Sequence, residues 1–234
     1  MVSVVIPAFN EEKHIAACLE SFLHQTTKEQ FEVILVDNAS TDKTSEVAKT
    51  FEDKLPLRVI SEPQKGRGYA RKAGFEEAKG DIILSTDSDS MVPDDWIEKM
   101  LAVFADPKVV AVTGPATTHD LSKIKNLLFK AGMPVAMHIY RLLYRHYWLT
   151  GSNFAIRKSI YEQSGGFPQV NGLEDIDLGL RIYKLGKIKY QQVYVWTSGR
   201  RFKKPIAGLL DYWKVYVEYF WQNNREVHFP DTRN

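Results

Sequence analysis

Two kinds of hydrophobic pattern alternate along the first half of the chain. VSVVIPAF (residues 2–9) is a near-continuous apolar run, as in a strand covered on both faces. Ile15, Leu19, Phe22 and Leu23 then recur at helical spacing, with Asn10 ahead of them as the candidate N-cap. FEVILVDNAS repeats the device, with a strand at 31–36, a polar turn at 37–41 and a helix carrying Val47, Ala48 and Phe51. LRVISE (57–62) reads as a third strand and GYARKAGFEEAKG (68–80) as a third helix. DIILST (81–86) is a fourth strand, followed by a helix from Pro93 carrying Trp96, Ile97, Met100, Leu101 and Phe104. KVVAVTGPA (108–116) supplies a fifth strand. Strands alternating with helices require crossover connections. The pattern predicts an α/β fold, a single Rossmann-like domain whose mostly parallel, twisted central sheet is flanked by helices.

The second half has a different texture. Residues 120–149 interleave apolar and aromatic residues with Lys, Arg and His, as in AMHIYRLLYRHYWLT. GSNFAIRKSIYEQSGGF is bounded by glycines, and GLEDIDLGLRIYKLGKIKYQQVYVWTSGRR reads as acidic loop, helix, strand and basic loop. Nothing in it has the composition of a linker or a repeat. One domain over 1–201 is expected, followed by an aromatic helical extension over 202–234.

Ligands of such sheets bind beyond the carboxyl ends of the strands, and that rule gathers the polar residues. Asn10, Glu11 and Glu12 follow the first strand, Asp37, Asn38 and Asp42 the second, Asp87 and Asp89 the fourth. Lys65, Arg67 and Arg71 stand between the third strand and its helix. Asp87 and Asp89 are one residue apart where a core strand ends. In extended chain they point the same way and repel unless a cation sits between them. A solvated acidic turn is the bland reading. A rim carrying both acids and bases suits an anionic ligand held partly through a divalent cation.

Composition narrows the classes. The 234 residues are 44% hydrophobic and 26% charged, ordinary for one sizeable globular domain. The net charge of +2 is too small to argue for nucleic acid. The single cysteine, Cys18, falls on the apolar side of a helix and reads as a core thiol; a lack of disulfides fits a reducing, cytoplasmic setting. MVSVVIPAFNEEKHI has no basic region followed by a long apolar stretch, so no secretory signal is expected. No run approaches the eighteen or so apolar residues of a spanning helix.

Taken in order, VSVVIPAFNEE, EVILVDNASTDKT, GYARKAGFEEAKGDIILSTDSD, GSNFAIRKSIYEQSGGF and EDIDLGLRIYKLG resemble the family 2 glycosyltransferases, which have the GT-A fold. The resemblance covers roughly residues 2–201 and implies a nucleotide-binding half over 1–115 and an acceptor half over 116–201. It implies transfer of a sugar from a nucleoside-diphosphate donor to a glycan or lipid-linked acceptor, usually with inversion. A retaining transferase of the same fold, or a catalytically silent nucleotide-sugar-binding module, is the alternative.

The roles follow the motifs. Pro7, Ala8, Asn10 and Glu11 would shape the nucleotide pocket, with Asp37 accepting from a base N–H. Asp42 has an equal reading as a helix-capping acid. Arg71 resembles the family's nucleotide-side arginine, although Lys72 stands where asparagine is commoner. Asp87, Ser88 and Asp89 match the D-x-D motif. Asp87 and Asp89 would ligate Mn²⁺ or Mg²⁺, hard cations that share few carboxylates with substrate phosphates. Asp175 matches the base position with Glu174 beside it, against a bland reading as helix-start acids. Gly151, Ser152 and Asn153 would border the sugar and acceptor pocket. Many relatives carry a metal-binding histidine beyond the base helix. Here VWTSGRRFKK has none, and Arg200 and Arg201 could clamp the diphosphate instead.

PIAGLLDYWKVYVEYFWQNN places Trp213, Val217 and Phe220 on one helical face, with Tyr212, Tyr216 and Tyr219 beside it. A core-docking or homodimer helix is one reading. A peripheral helix on the inner face of the membrane is the other, with Lys203, Lys204 and Lys214 meeting anionic lipid.

Overall fold

The structure, a computed structural model, describes residues 1–168, 172–200 and Lys214. Arg201 and the aromatic extension, including Lys203, Lys204, Tyr212, Trp213, Tyr216, Val217, Tyr219 and Phe220, lie outside the described residues.

The first half is built as its pattern predicts. Strands β1 (Val2–Ala8), β2 (Phe31–Asp37), β3 (Leu57–Ser61) and β4 (Ile82–Ser85) lie parallel in the order β3-β2-β1-β4. Helices α1 (Ile15–Glu20), α2 (Thr44–Lys49) and α3 (Arg67–Glu77) make the crossovers, and α4 (Trp96–Ala102) follows a two-residue strand, β5 (Ser90–Met91). Successive strand residues point to opposite faces. Val4 and Ile6 accordingly pack with Leu19, Phe22 and Trp96, while Val5 packs on the other face with Phe75 and Phe154. Burial on both faces is why the strands read as unbroken apolar runs. Gly74 lets α3 press onto the sheet, since a Cβ there would overlap the side chain of Val5.

Strands β6 (Val109–Thr113), β8 (Phe154–Arg157) and β9 (Lys187–Tyr190) extend the sheet to β3-β2-β1-β4-β8-β6-β9. Only β8 runs against its neighbours, so the sheet is mostly parallel. A second, three-stranded sheet joins β5 and β7 (Ala116–Thr118) to β10 (Val195–Thr197). The sequence pattern suggested one strand after the helix that follows the acidic loop; among the described residues there are two, and the second belongs to this small sheet.

Helix α5 (Lys123–Tyr144) connects β7 to the segment before β8. Pro134 lies inside it and cannot donate to the carbonyl four residues back. That carbonyl, on Lys130, accepts from the Tyr194 hydroxyl at 3.2 Å. Short α6 (Lys158–Gln163) and then α7 (Glu174–Ile182) complete the described elements.

Two helix starts differ from expectation. Asn10 is not an N-cap: α1 begins at Ile15, and Asn10 adopts a left-handed φ of 52° in the loop before it. The helix expected from Pro93 begins at Trp96.

Candidate active site

The carboxyl ends of β1, β2 and β4 open onto one rim, as expected. At one wall, a web of short side chains fixes the loops after β1 and β2. Asn10 N–H donates to Ser40 Oγ at 3.0 Å, and Asn10 Oδ1 accepts from Thr41 N–H at 2.8 Å. Glu11 N–H donates to Thr44 Oγ1 at 2.7 Å, and Asp42 accepts from the backbones of Thr44 and Glu12. Partial burial would raise the Asp42 carboxyl, but these hydrogen bonds outweigh it and hold it below its usual value. Asp42 is therefore a loop lock. Asp37 is half-buried; its Oδ1 accepts from Ser40 N–H at 3.1 Å, and Oδ2 has no partner among the described residues. Pro7 and Ala8 line the same strand end.

Asn38 does more than its place on the rim suggested. Its amide donates to the carbonyls of Glu62 and Gln64, and its Oδ1 accepts from Gly66 N–H at 2.8 Å. This strap fixes the turn into α3, where Gly66 sits at φ 150°, a conformation other residues rarely adopt. The turn in turn sets Arg71.

Arg71 is 1% exposed, and its guanidinium spans the two halves of the site. Nη2 lies 2.6 Å from Asp87 Oδ1, and Nη1 is paired with Glu174. Arg71 Nε and Glu174 Oε2 are buried with no hydrogen-bond partner among the described residues. Asp175, next along α7, accepts from Gly151 N–H at 2.9 Å through Oδ2 and from Ile176 N–H at 2.9 Å through Oδ1. Burial, with the Glu174 charge adding to it, pushes Asp175 up to about 6 against the opposing pull of Arg71. A Cβ on Gly151 would crowd both Arg71 and Asp175, which accounts for glycine there.

Asp89 occupies the other side. Its Oδ1 accepts from Thr197 Oγ1 at 3.1 Å, and Oδ2 lies 2.9 Å from Arg200 Nη2. Arg200 also donates through Nη1 to Glu11 at 3.1 Å. Burial first, and the charge of Asp87 second, raise the Asp89 carboxyl despite Arg200. Ser198 Oγ donates to Asp120 at 2.7 Å, fixing the backbone just ahead of Arg200. Sequence reasoning passed over Thr197, Ser198 and Asp120, because their role exists only once β10 joins the small sheet.

The acids suit a divalent cation on charge. Glu11, Asp87, Asp89, Glu174 and Asp175 face Arg71 and Arg200, with Arg67 close enough to act on Asp89 and Asp175. Five carboxylates against three arginines leave two negative charges over. Among the described residues no group of three or more His, Cys, Asp or Glu could hold a metal. Asp87 and Asp89 offer carboxylate oxygens alone, the ligand type that hard cations take.

One pocket assignment is corrected. Asn153 is fully buried and its amide is wholly used within the fold. Oδ1 accepts from Trp96 Nε1 at 2.9 Å, and Nδ2 donates to the carbonyls of Pro115 and Val193. It clips α4 to the junction of the two sheets. Ser88 and Ser152 are buried beside the acids. Cys18 is a core thiol as expected, its Sγ 3.5 Å from the Asp87 carbonyl oxygen and its acidity suppressed chiefly by burial.

Comparison with known proteins places the chain in a family. Residues 3–165 match the model of Glycosyl transferase family 2. The chain is 32% identical over 202 residues to probable glycosyltransferase YdaM of Bacillus subtilis (strain 168), covering 79% of this chain and 47% of that protein. It is 30% identical over 164 residues to undecaprenyl-phosphate 4-deoxy-4-formamido-L-arabinose transferase of Pseudomonas aeruginosa (strain LESB58), covering 63% and 47% of the two. The chain thus spans about half the length of these curated relatives. Among solved structures, mannosyltransferase PcManGT from Pyrobaculum calidifontis in complex with GDP-Man and Mn²⁺ superposes with a TM-score of 0.73 at 23% identity, covering 99% of this chain and 66% of the other. S. aureus TarS 1–349 in complex with UDP-GlcNAc gives a TM-score of 0.66 at 21% identity, covering 84% and 58%. At these identities the solved structures share the GT-A fold.

Proposed function

The chain belongs to glycosyl transferase family 2, and from that premise we propose that it moves a sugar from a nucleoside-diphosphate donor to an acceptor hydroxyl with inversion. The observation that carries the reading is the setting of Asp175. A general base works best with a pKa near the operating pH, and burial beside Glu174 brings this carboxyl up to about 6.

The proposed steps use residues of this chain. The base of the donor lies against Pro7, Ala8 and Asn10, with Asp37 Oδ2 accepting from its N–H. Asp87 and Asp89 would hold Mn²⁺ or Mg²⁺, which when bound neutralises charge on the leaving diphosphate. Arg200 can exchange Asp89 and Glu11 for phosphate oxygens, and Arg201 follows it in sequence. Asp175 takes the proton of the attacking acceptor hydroxyl, its orientation held by the N–H groups of Gly151 and Ile176. Glu174 Oε2, buried without a hydrogen-bond donor among the described residues, suits a sugar hydroxyl. Gly151 and Ser152 border the space where that sugar would lie. Arg71 ties the donor and base sides together through Asp87 and Glu174. The acceptor is a glycan or lipid-linked hydroxyl; the P. aeruginosa relative is named for an undecaprenyl phosphate.

The reaction is tested by supplying donor and Mn²⁺ and determining the anomeric configuration of the product by NMR. Inversion supports a single displacement with Asp175 as base. Retention would assign Asp175 another role, and failure to consume any donor would leave a binding module.

A further inference from the structure

The longest helix carries its apolar side outward. Along α5 the side toward the body is marked by buried Met137 and half-buried Met133 and Phe129. On the opposite side Ile124, Leu128, Ala131, Val135, Ile139 and Leu142 fall on one straight stripe, by i, i+4, i+7, i+11, i+15 and i+18 spacing. Ile124 is 72% exposed, Leu128 66% and Leu142 82%. A helix of 22 residues is about 33 Å long, so the stripe is larger than the scattered apolar residues of an ordinary surface.

The charges along the helix itself have one sign. The sequence has no acidic residue between Asp120 and Glu162, while α5 and its C-cap carry exposed Lys123, Lys125, Lys130, Arg141 and Arg145. Two of these are held along the flank by aromatic rings. Lys130 Nζ lies 5.3 Å from the Tyr194 ring centre, and the Arg141 guanidinium 5.4 Å from that of Tyr147. An apolar stripe edged by cations alone matches an anionic bilayer surface, where acyl chains take the stripe and headgroups take the lysines. A two-fold contact with a second copy would bring the cations of both helices together.

We propose that α5 is a membrane-surface helix that docks the enzyme flat on anionic lipid. No described helix is long and apolar enough to cross a membrane, so the contact is peripheral for these residues. Both ends of α5 lead into the site. Ahead of its start, Asp120 anchors Ser198 beside Arg200. Past its end, the chain reaches Gly151, which holds Asp175. Docking would set the acceptor side of the site at the bilayer. The inference does not depend on the donor chemistry, because vesicle binding is read without turnover.

The test is co-sedimentation of the full chain with vesicles of phosphatidylcholine alone and of phosphatidylcholine mixed with phosphatidylglycerol. Binding should require phosphatidylglycerol and weaken with salt. It should fall roughly tenfold or more for Lys125→Gln with Lys130→Gln, and be lost for Leu128→Ser with Leu142→Ser, while the melting temperatures stay unchanged. Equal binding to both vesicle types would overturn the proposal. So would a concentration-dependent dimer abolished by the leucine changes, which would assign the stripe to a second copy. Absence of binding, with the leucine variants less stable, would assign it to residues 202–234 of the same chain and equally overturn it.

Discussion

Arg71 Nη2 and Asp87 Oδ1 lie 2.6 Å apart, so an arginine from α3 holds the first of the two acids that follow β4. The same guanidinium is paired with Glu174 at the start of α7, at 1% exposure for both side chains. Removing the guanidinium leaves Glu174 charged, buried and unpaired, which costs on the order of 3–5 kcal/mol. Arg71→Met should therefore unfold at markedly lower denaturant, as followed by circular dichroism. A variant as stable as the parent would show that Arg71 serves donor binding alone.

Asp175→Asn keeps size and shape but cannot accept a proton. Its turnover should fall by roughly two or more orders of magnitude, with donor affinity little changed by calorimetry. Equal losses of binding and turnover would instead point to the carboxylate's bonds with the Gly151 and Ile176 amides.

The pH profile carries the same residue's signature. Asp175 is raised to about 6, so kcat/KM should rise with pH through that value and then flatten. The sign for stability is opposite. A carboxyl raised in the folded state binds more protons there than in the unfolded chain. Its contribution is complete below the ordinary aspartate range and is lost as pH rises toward 6. A rising limb near 4 would show that Asp175 does not set the rate.

Asn153→Ala should behave as a structural variant. It leaves Trp96 Nε1 and the Val193 carbonyl without these partners, while the Pro115 carbonyl keeps the Val195 N–H, each lost partner costing about 1–3 kcal/mol. Stability should fall sharply, with KM for both substrates unchanged in the protein that remains folded. A raised acceptor KM at unchanged stability would return Asn153 to the pocket.

The sequence made the first half legible because its strands are buried on both faces and its helices keep a clear period. The strand ends were equally legible, since the end of one strand lies in register with that of its neighbour, Ala8 opposite Asp37. Asn153 was misread because an amide beside Gly151 and Ser152 looks like a ligand residue until its three partners, from distant segments, are in place. Thr197 and Asp120 gave no signal, since the small sheet that brings β10 beside β5 has strands of only two and three residues. Asn10 looked like a cap because it precedes an apolar period, but its side chain is bound across to Thr41.

Donor binding through the two aspartates is the central claim, and thermal shift with UDP, GDP and dTDP, each with and without Mn²⁺, tests it most directly. One nucleotide should raise the melting temperature by roughly 5–10 °C at a hundredfold excess over its Kd. The rise should need Mn²⁺ and disappear in Asp89→Ala, with circular dichroism of that variant checking that its fold persists. Indifference of the parent protein to all three nucleotides with Mn²⁺, or an undiminished shift in Asp89→Ala, would contradict the account.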